Sequence, residues 1–85
     1  MSEISRFRGI SIQMHYREHG PPHIHAIYGD YDVSVFFRSG VVEGRFPRRA
    51  LRLVLEWYEA HREELDENWE LAVAHKRLKK ISPLA

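Results

Sequence analysis

The chain has 85 residues, with 13 Lys and Arg against 12 Asp and Glu, 6 His and no Cys. This length fits one small domain, residues 1–85, with a thin core. The lack of cysteine excludes a disulfide framework and thiolate chemistry, and the near-neutral total charge offers no general attraction to a polyanion. No run approaches membrane-spanning length and the N-terminus lacks an apolar signal segment, so a cytoplasmic protein without membrane contact is expected.

Four strands are predicted first. Ile10, Ile12, Met14 and Tyr16 alternate with Ser11, Gln13, His15 and Arg17. Ile24, Ala26 and Tyr28 alternate with His23, His25 and Ile27. Val33, Val35 and Phe37 alternate with Asp32, Ser34, Phe36 and Arg38, and Val41 to Phe46 is a weaker fourth run. A period of two marks half-buried strands. Gly29-Asp30 and Ser39-Gly40 both fit two-residue hairpin loops, whereas Arg17 to Pro22 reads as a longer loop stiffened by two prolines.

These turns predict a register. Tyr28 lies opposite Tyr31, Ala26 opposite Val33 and Ile24 opposite Val35. Arg38 lies opposite Val41, and Ser34 opposite Arg45. His15 opposite His25 completes the match of apolar with apolar residues, which a one-residue slip would destroy.

From Pro47 the period changes, and proline suits a first helical position. Leu51, Val54, Leu55, Tyr58, Leu65, Trp69 and Ala72 recur at spacings of three and four. They predict one long helix, or two consecutive helices broken near His61-Arg62. Ile81 and Leu84 close the chain as a short apolar tail or strand. The expected fold is α+β: a four-stranded antiparallel meander sheet followed by helices packed on one face.

Four of the six histidines, His15, His19, His23 and His25, fall within eleven residues. The register puts His15, His25, Ser34 and Arg45 in one row on the helix-free face, with Arg17, His23, Phe36 and Glu43 in the next. Three readings of this surface compete. His15, His23 and His25 could hold a metal, zinc being the natural choice, as no other cofactor is implied. Alternatively His23 and His25 act as acid and base, with His15, Ser34 and Arg45 binding an anion or RNA. The third reading is that an exposed sheet face carries polar residues in any case.

Arg48, Arg49 and Arg52 join Arg45 in a basic cluster over the first helical turns, where the macrodipole disfavours positive charge. That placement suggests an anionic partner: a phosphate, an acidic segment of another protein, or the chain's own Glu43 and Glu56. Trp57, Tyr58 and Trp69 read as core, the acids from Glu59 to Glu70 as a solvated face, and His61 and His75 receive no role.

Ile4-Ser5-Arg6-Phe7, Pro21-Pro22-His23-Ile24-His25 and Tyr28-Gly29-Asp30-Tyr31 together resemble the bacterial domain of unknown function 4160 family. So do Pro47-Arg48-Arg49-Ala50-Leu51, Glu56-Trp57, His61-Arg62-Glu63-Glu64-Leu65, Asn68-Trp69 and Lys80-Ile81-Ser82-Pro83-Leu84. The resemblance implies a small cytoplasmic prokaryotic protein, often encoded beside another small protein and sometimes labelled a toxin–antitoxin component. It implies no established activity, so no catalytic residue is assigned by it. The expected partner is a small protein encoded by a neighbouring gene, with RNA or a second copy of the chain as further partners. A metal-binding module or hydrolase and a non-enzymatic interaction domain are the alternatives.

Overall fold

The computed structural model describes residues 2–16 and 20–85. The chain runs through five strands and two helices: β1 (Ser2–Phe7), β2 (Ile10–Met14), β3 (Ile24–Tyr28), β4 (Tyr31–Phe36), β5 (Val41–Arg45), α1 (Arg48–Ala60) and α2 (Arg62–Val73). The strands form one antiparallel meander in the order β1-β2-β3-β4-β5. The fold is α+β, with five strands rather than the four expected.

The extra strand, β1, carries no period-two pattern because its register shifts between Glu3 and Ser5. A bulge inserts a residue and changes the phase of the side chains after it. Ile4 and Phe7 are therefore both buried although they stand three residues apart. The Arg8-Gly9 turn, with φ of 51° and 79°, closes the hairpin between Phe7 and Ile10. Positive φ at both central residues matches the twist of the flanking strands.

The β3–β4 hairpin has the expected register throughout, Ile24 opposite Val35 to Tyr28 opposite Tyr31. The other two pairings differ from expectation by two residues each. Gln13, not His15, faces His25. Glu43, not Arg45, faces Ser34, and Arg45 faces Asp32. The second shift has a clear cause. Strand pairing stops at Phe36 and Val41, so the turn has four residues, not two. The amide of Gly40 donates to the Phe36 carbonyl at 2.8 Å, and the Val41 amide donates to Ser39 Oγ at 3.2 Å. An even shift leaves every side chain on its expected face but moves it along the row.

Ile10, Ile12, Met14, Ile24, Ala26, Val33 and Val35 form the sheet's side of the core. Ala50, Val54, Trp57, Tyr58, Leu65, Trp69 and Ala72 cover them from the helices. Phe7 meets Trp57 with ring centroids 5.7 Å apart, and Phe37 meets Trp69 at 6.4 Å. Of the two helical arrangements expected, two helices are found. His61 breaks them at φ −126°, ψ 26°, and its ring nitrogen meets Glu64 in the first turn of α2.

Past α2 the chain forms an apolar tail without strand pairing of its own. Asn68 is buried and holds this tail with two hydrogen bonds, donating to the Lys79 carbonyl and accepting from the Lys79 amide, both at 2.9 Å. Trp57 Nε1 donates to the Ser82 carbonyl at 2.8 Å. Ile81 is buried, and its amide donates to the Ile4 carbonyl at 2.8 Å. The tail thus covers the outer edge of β1. Among the described residues no helix is long and apolar enough to cross a membrane.

Candidate partner-binding site

The observed register builds the helix-free face from two full rows. Glu3, Gln13, His25, Ser34 and Glu43 stand side by side across the sheet, and Arg6, Ser11, Ile27, Asp32 and Arg45 form the next row. The row expected to join His15, His25, Ser34 and Arg45 is not formed. Its β5 member is the carboxylate Glu43, so the row beside His25 is anionic at that end. Arg17, expected in the neighbouring row, and His19 lie outside the described residues.

A chain of hydrogen bonds runs along β1 and β2. Arg6 Nε and Ser11 Oγ both donate to Glu3 Oε2, at 3.0 and 2.6 Å. Gln13 Nε2 donates to Ser11 Oγ at 3.1 Å, and Gln13 Oε1 lies 3.5 Å from His15 Nε2. The Ser11 hydroxyl, then the Arg6 guanidinium, hold the Glu3 carboxyl below its ordinary value. Hydrogen bonds to a carboxylate favour its charged form.

The histidines do come together. His15 stacks on His25 with centroids 4.2 Å apart, and His23 meets His25 edge-on at 5.1 Å. The three do not serve one surface equally. His23 is only 6% exposed, packed against Phe36 at 4.9 Å and Trp69 of α2 at 5.6 Å. Its Nδ1 lies 2.9 Å from the Pro21 carbonyl. A carbonyl only accepts, so that nitrogen carries the proton. This packing makes His23 a plug at the end of the sheet. His15, His25 and Ser34 remain half-buried on the face. Among the described residues no group of three or more His, Asp or Glu is arranged to hold a metal ion.

The second candidate surface is the free edge of the sheet and the start of α1. Arg45, Arg48, Arg49 and Arg52 are all exposed. Among the described residues none of them has an ion pair; neither Glu43 nor Glu56 reaches them. Elsewhere cations do find partners: Arg6 with Glu3, Arg38 with Asp66, Arg62 with Glu59 and Lys79 with Glu67. No acid stands in the first turn of α1, and Pro47 gives no side-chain cap. Positive charge therefore accumulates at the positive end of the helix dipole.

Beside the same edge lies a cleft of about 540 Å³. Its walls come from Pro21, Pro22, Phe36 and Val41, and Arg38 and Glu43 also line it. Sequence reading missed this cleft because Phe36 and Val41 become neighbours only through the four-residue turn. It also missed Glu3 as a member of the polar face, since β1 was unread.

A family model described as Domain of unknown function (DUF4160) matches residues 9–70. The chain belongs to this family. No curated protein and no solved structure matches it. The DUF4160 span contains His15, His23 and His25, the cleft and the four arginines. It leaves out β1 and the tail, so Glu3 and Ile81 lie beyond the matched part.

Proposed function

We propose that this DUF4160 protein is a non-enzymatic interaction module that binds an acidic protein partner through Arg45, Arg48, Arg49 and Arg52. The observation that carries the reading is that among the described residues these four exposed guanidinium groups lack ion pairs, whereas Arg6, Arg38, Arg62 and Lys79 are paired. Clustered charge without an internal counter-charge favours association with an opposite surface and speeds encounter. The setting we propose is a bacterial cytoplasm, with the partner encoded by a neighbouring gene, as in toxin–antitoxin loci.

The helix-free face supports RNA less well. Glu3, Asp32 and Glu43 stand there against Arg6 and Arg45, and affinity for a polyphosphate chain depends on accumulated positive charge. Catalysis by His23 is likewise less well supported, because a general base must reach its substrate and His23 is enclosed by Phe36 and Trp69.

The test is co-expression with the product of the neighbouring gene, followed by an affinity measurement. Changing Arg48, Arg49 and Arg52 together to Ala should weaken the complex by about tenfold or more at low salt. Wild-type affinity should fall as salt rises. His25→Ala, distant from the cluster, should change affinity by less than about twofold. Unchanged affinity in the arginine variant would sink the reading.

A further inference from the structure

The two edges of the sheet are treated differently. The tail covers β1 through the Ile81–Ile4 hydrogen bond. Among the described residues nothing pairs with the outer side of β5. Half of an edge strand's backbone groups point away from its neighbour and can pair with an added strand. Val41 on this edge is 50% exposed, a large share for an apolar side chain, and it also lines the cleft.

Resting on the reading of the arginine cluster, we infer that β5 receives an extended peptide segment of the partner as a sixth strand. The side chains of β5 specify its sequence. Val41, Glu43 and Arg45 share the helix-free face, because they stand opposite Phe36, Ser34 and Asp32. Alternate residues of an added strand lie beside them on that face. The segment therefore carries an apolar residue, then a cation two positions on, then an acid two further on. The apolar residue covers Val41 and enters the cleft beside Pro22 and Phe36. The cation meets Glu43. The acid meets Arg45, and acids beyond it continue toward Arg48, Arg49 and Arg52.

A second copy of the chain suits the edge poorly. Antiparallel self-pairing centred on Glu43 would set Glu43 against itself, and like charges directly opposed are destabilising. Centring on Gly44 would place its left-handed backbone, φ 120°, at the symmetry axis. Main-chain pairing for affinity with alternate side chains for specificity is the general logic of strand addition.

The experiment uses synthetic threonine-rich peptides of about ten residues, made in both chain directions and followed by fluorescence anisotropy. The first carries Phe, Lys and Glu at alternate positions. The second replaces the central Lys with Glu, and the third is the first with backbone N-methylation on the pairing side. The first should bind about three- to fivefold tighter than the second, the scale of one exposed charge pair. N-methylation should weaken it by about tenfold or more. Glu43→Arg, an exposed substitution, should reverse the order of the first two.

General attraction to the arginines favours the second, more acidic peptide, so it cannot mimic the expected preference. If the second peptide binds tighter and its binding is lost on changing Arg48, Arg49 and Arg52 to Ala, the arginine reading stands and strand addition at β5 is overturned. Insensitivity to N-methylation overturns it too. So does absence of binding by either peptide, including the case where the free protein elutes as a dimer and the edge belongs to a second copy. In that event co-expression with the neighbouring gene product still judges the arginine cluster independently.

Discussion

Gly44 interrupts β5 at φ 120°, and a Cβ there would lie 2.6 Å from the Asp32 carbonyl oxygen. Both the backbone angle and the close approach of β4 require glycine. Gly44→Ala should cost about 1–3 kcal/mol, read as a lowered urea midpoint; an unchanged midpoint would show that the edge relaxes freely. Glu3 sets a pH dependence at the same scale. Its folded pKa is below the ordinary 4.5, chiefly through Ser11 and then Arg6. A lowered carboxyl pKa contributes stability that is present above the unfolded value and is lost as pH falls through the folded value. Wild type should therefore exceed Glu3→Gln in melting temperature at neutral pH. The gap should narrow once the pH drops below 4.5. A gap that stays constant down to complete acid unfolding would contradict this.

Asn68 shows how one side chain fixes an element that has no ladder of its own. It satisfies both backbone groups of Lys79 from a buried position on α2. Asn68→Ala would remove both bonds to the Lys79 backbone and empty a buried position on α2, so a loss of about 1–3 kcal/mol is expected by chemical denaturation. A loss below about 0.5 kcal/mol would mean that the tail is held elsewhere. The hairpins differ in how far they could be read. Gly29-Asp30 determines its register because the loop has two residues and positive φ falls on Gly29. Ser39-Gly40 carries the same short signal, yet there Gly40 closes a four-residue turn. The alternation cannot distinguish the two, since shifting by two preserves every face. β1 was illegible for a related reason, because its bulge removes the alternation that marks a strand.

Over the whole molecule the tail ties together β1, α1 and α2, through Ile81, Ser82 and Lys79. A chain ending at Leu78 loses all three attachments and uncovers the β1 edge. It should unfold with less cooperativity and associate at high concentration, as uncovered edges promote strand pairing between molecules. Thermal melts with light scattering test this; a monomeric, cooperatively folded truncation would refute it.

The sequence by itself determined the family, the α+β class, the helical period after Pro47 and the face on which each residue of β2 to β5 lies; it left one long helix or two open. These depend on local periodicity and on chain chemistry, which a short window contains. Tertiary structure alone decided which residues share a row, that His23 is enclosed by Phe36 and Trp69, and that Glu43 rather than Arg45 stands beside Ser34. The physical reason is that a sheet's alternation has a period of two and is blind to shifts of two. The length of a turn and the burial of Phe37 under α2 set the remaining degree of freedom, and both depend on contacts between residues far apart in the chain.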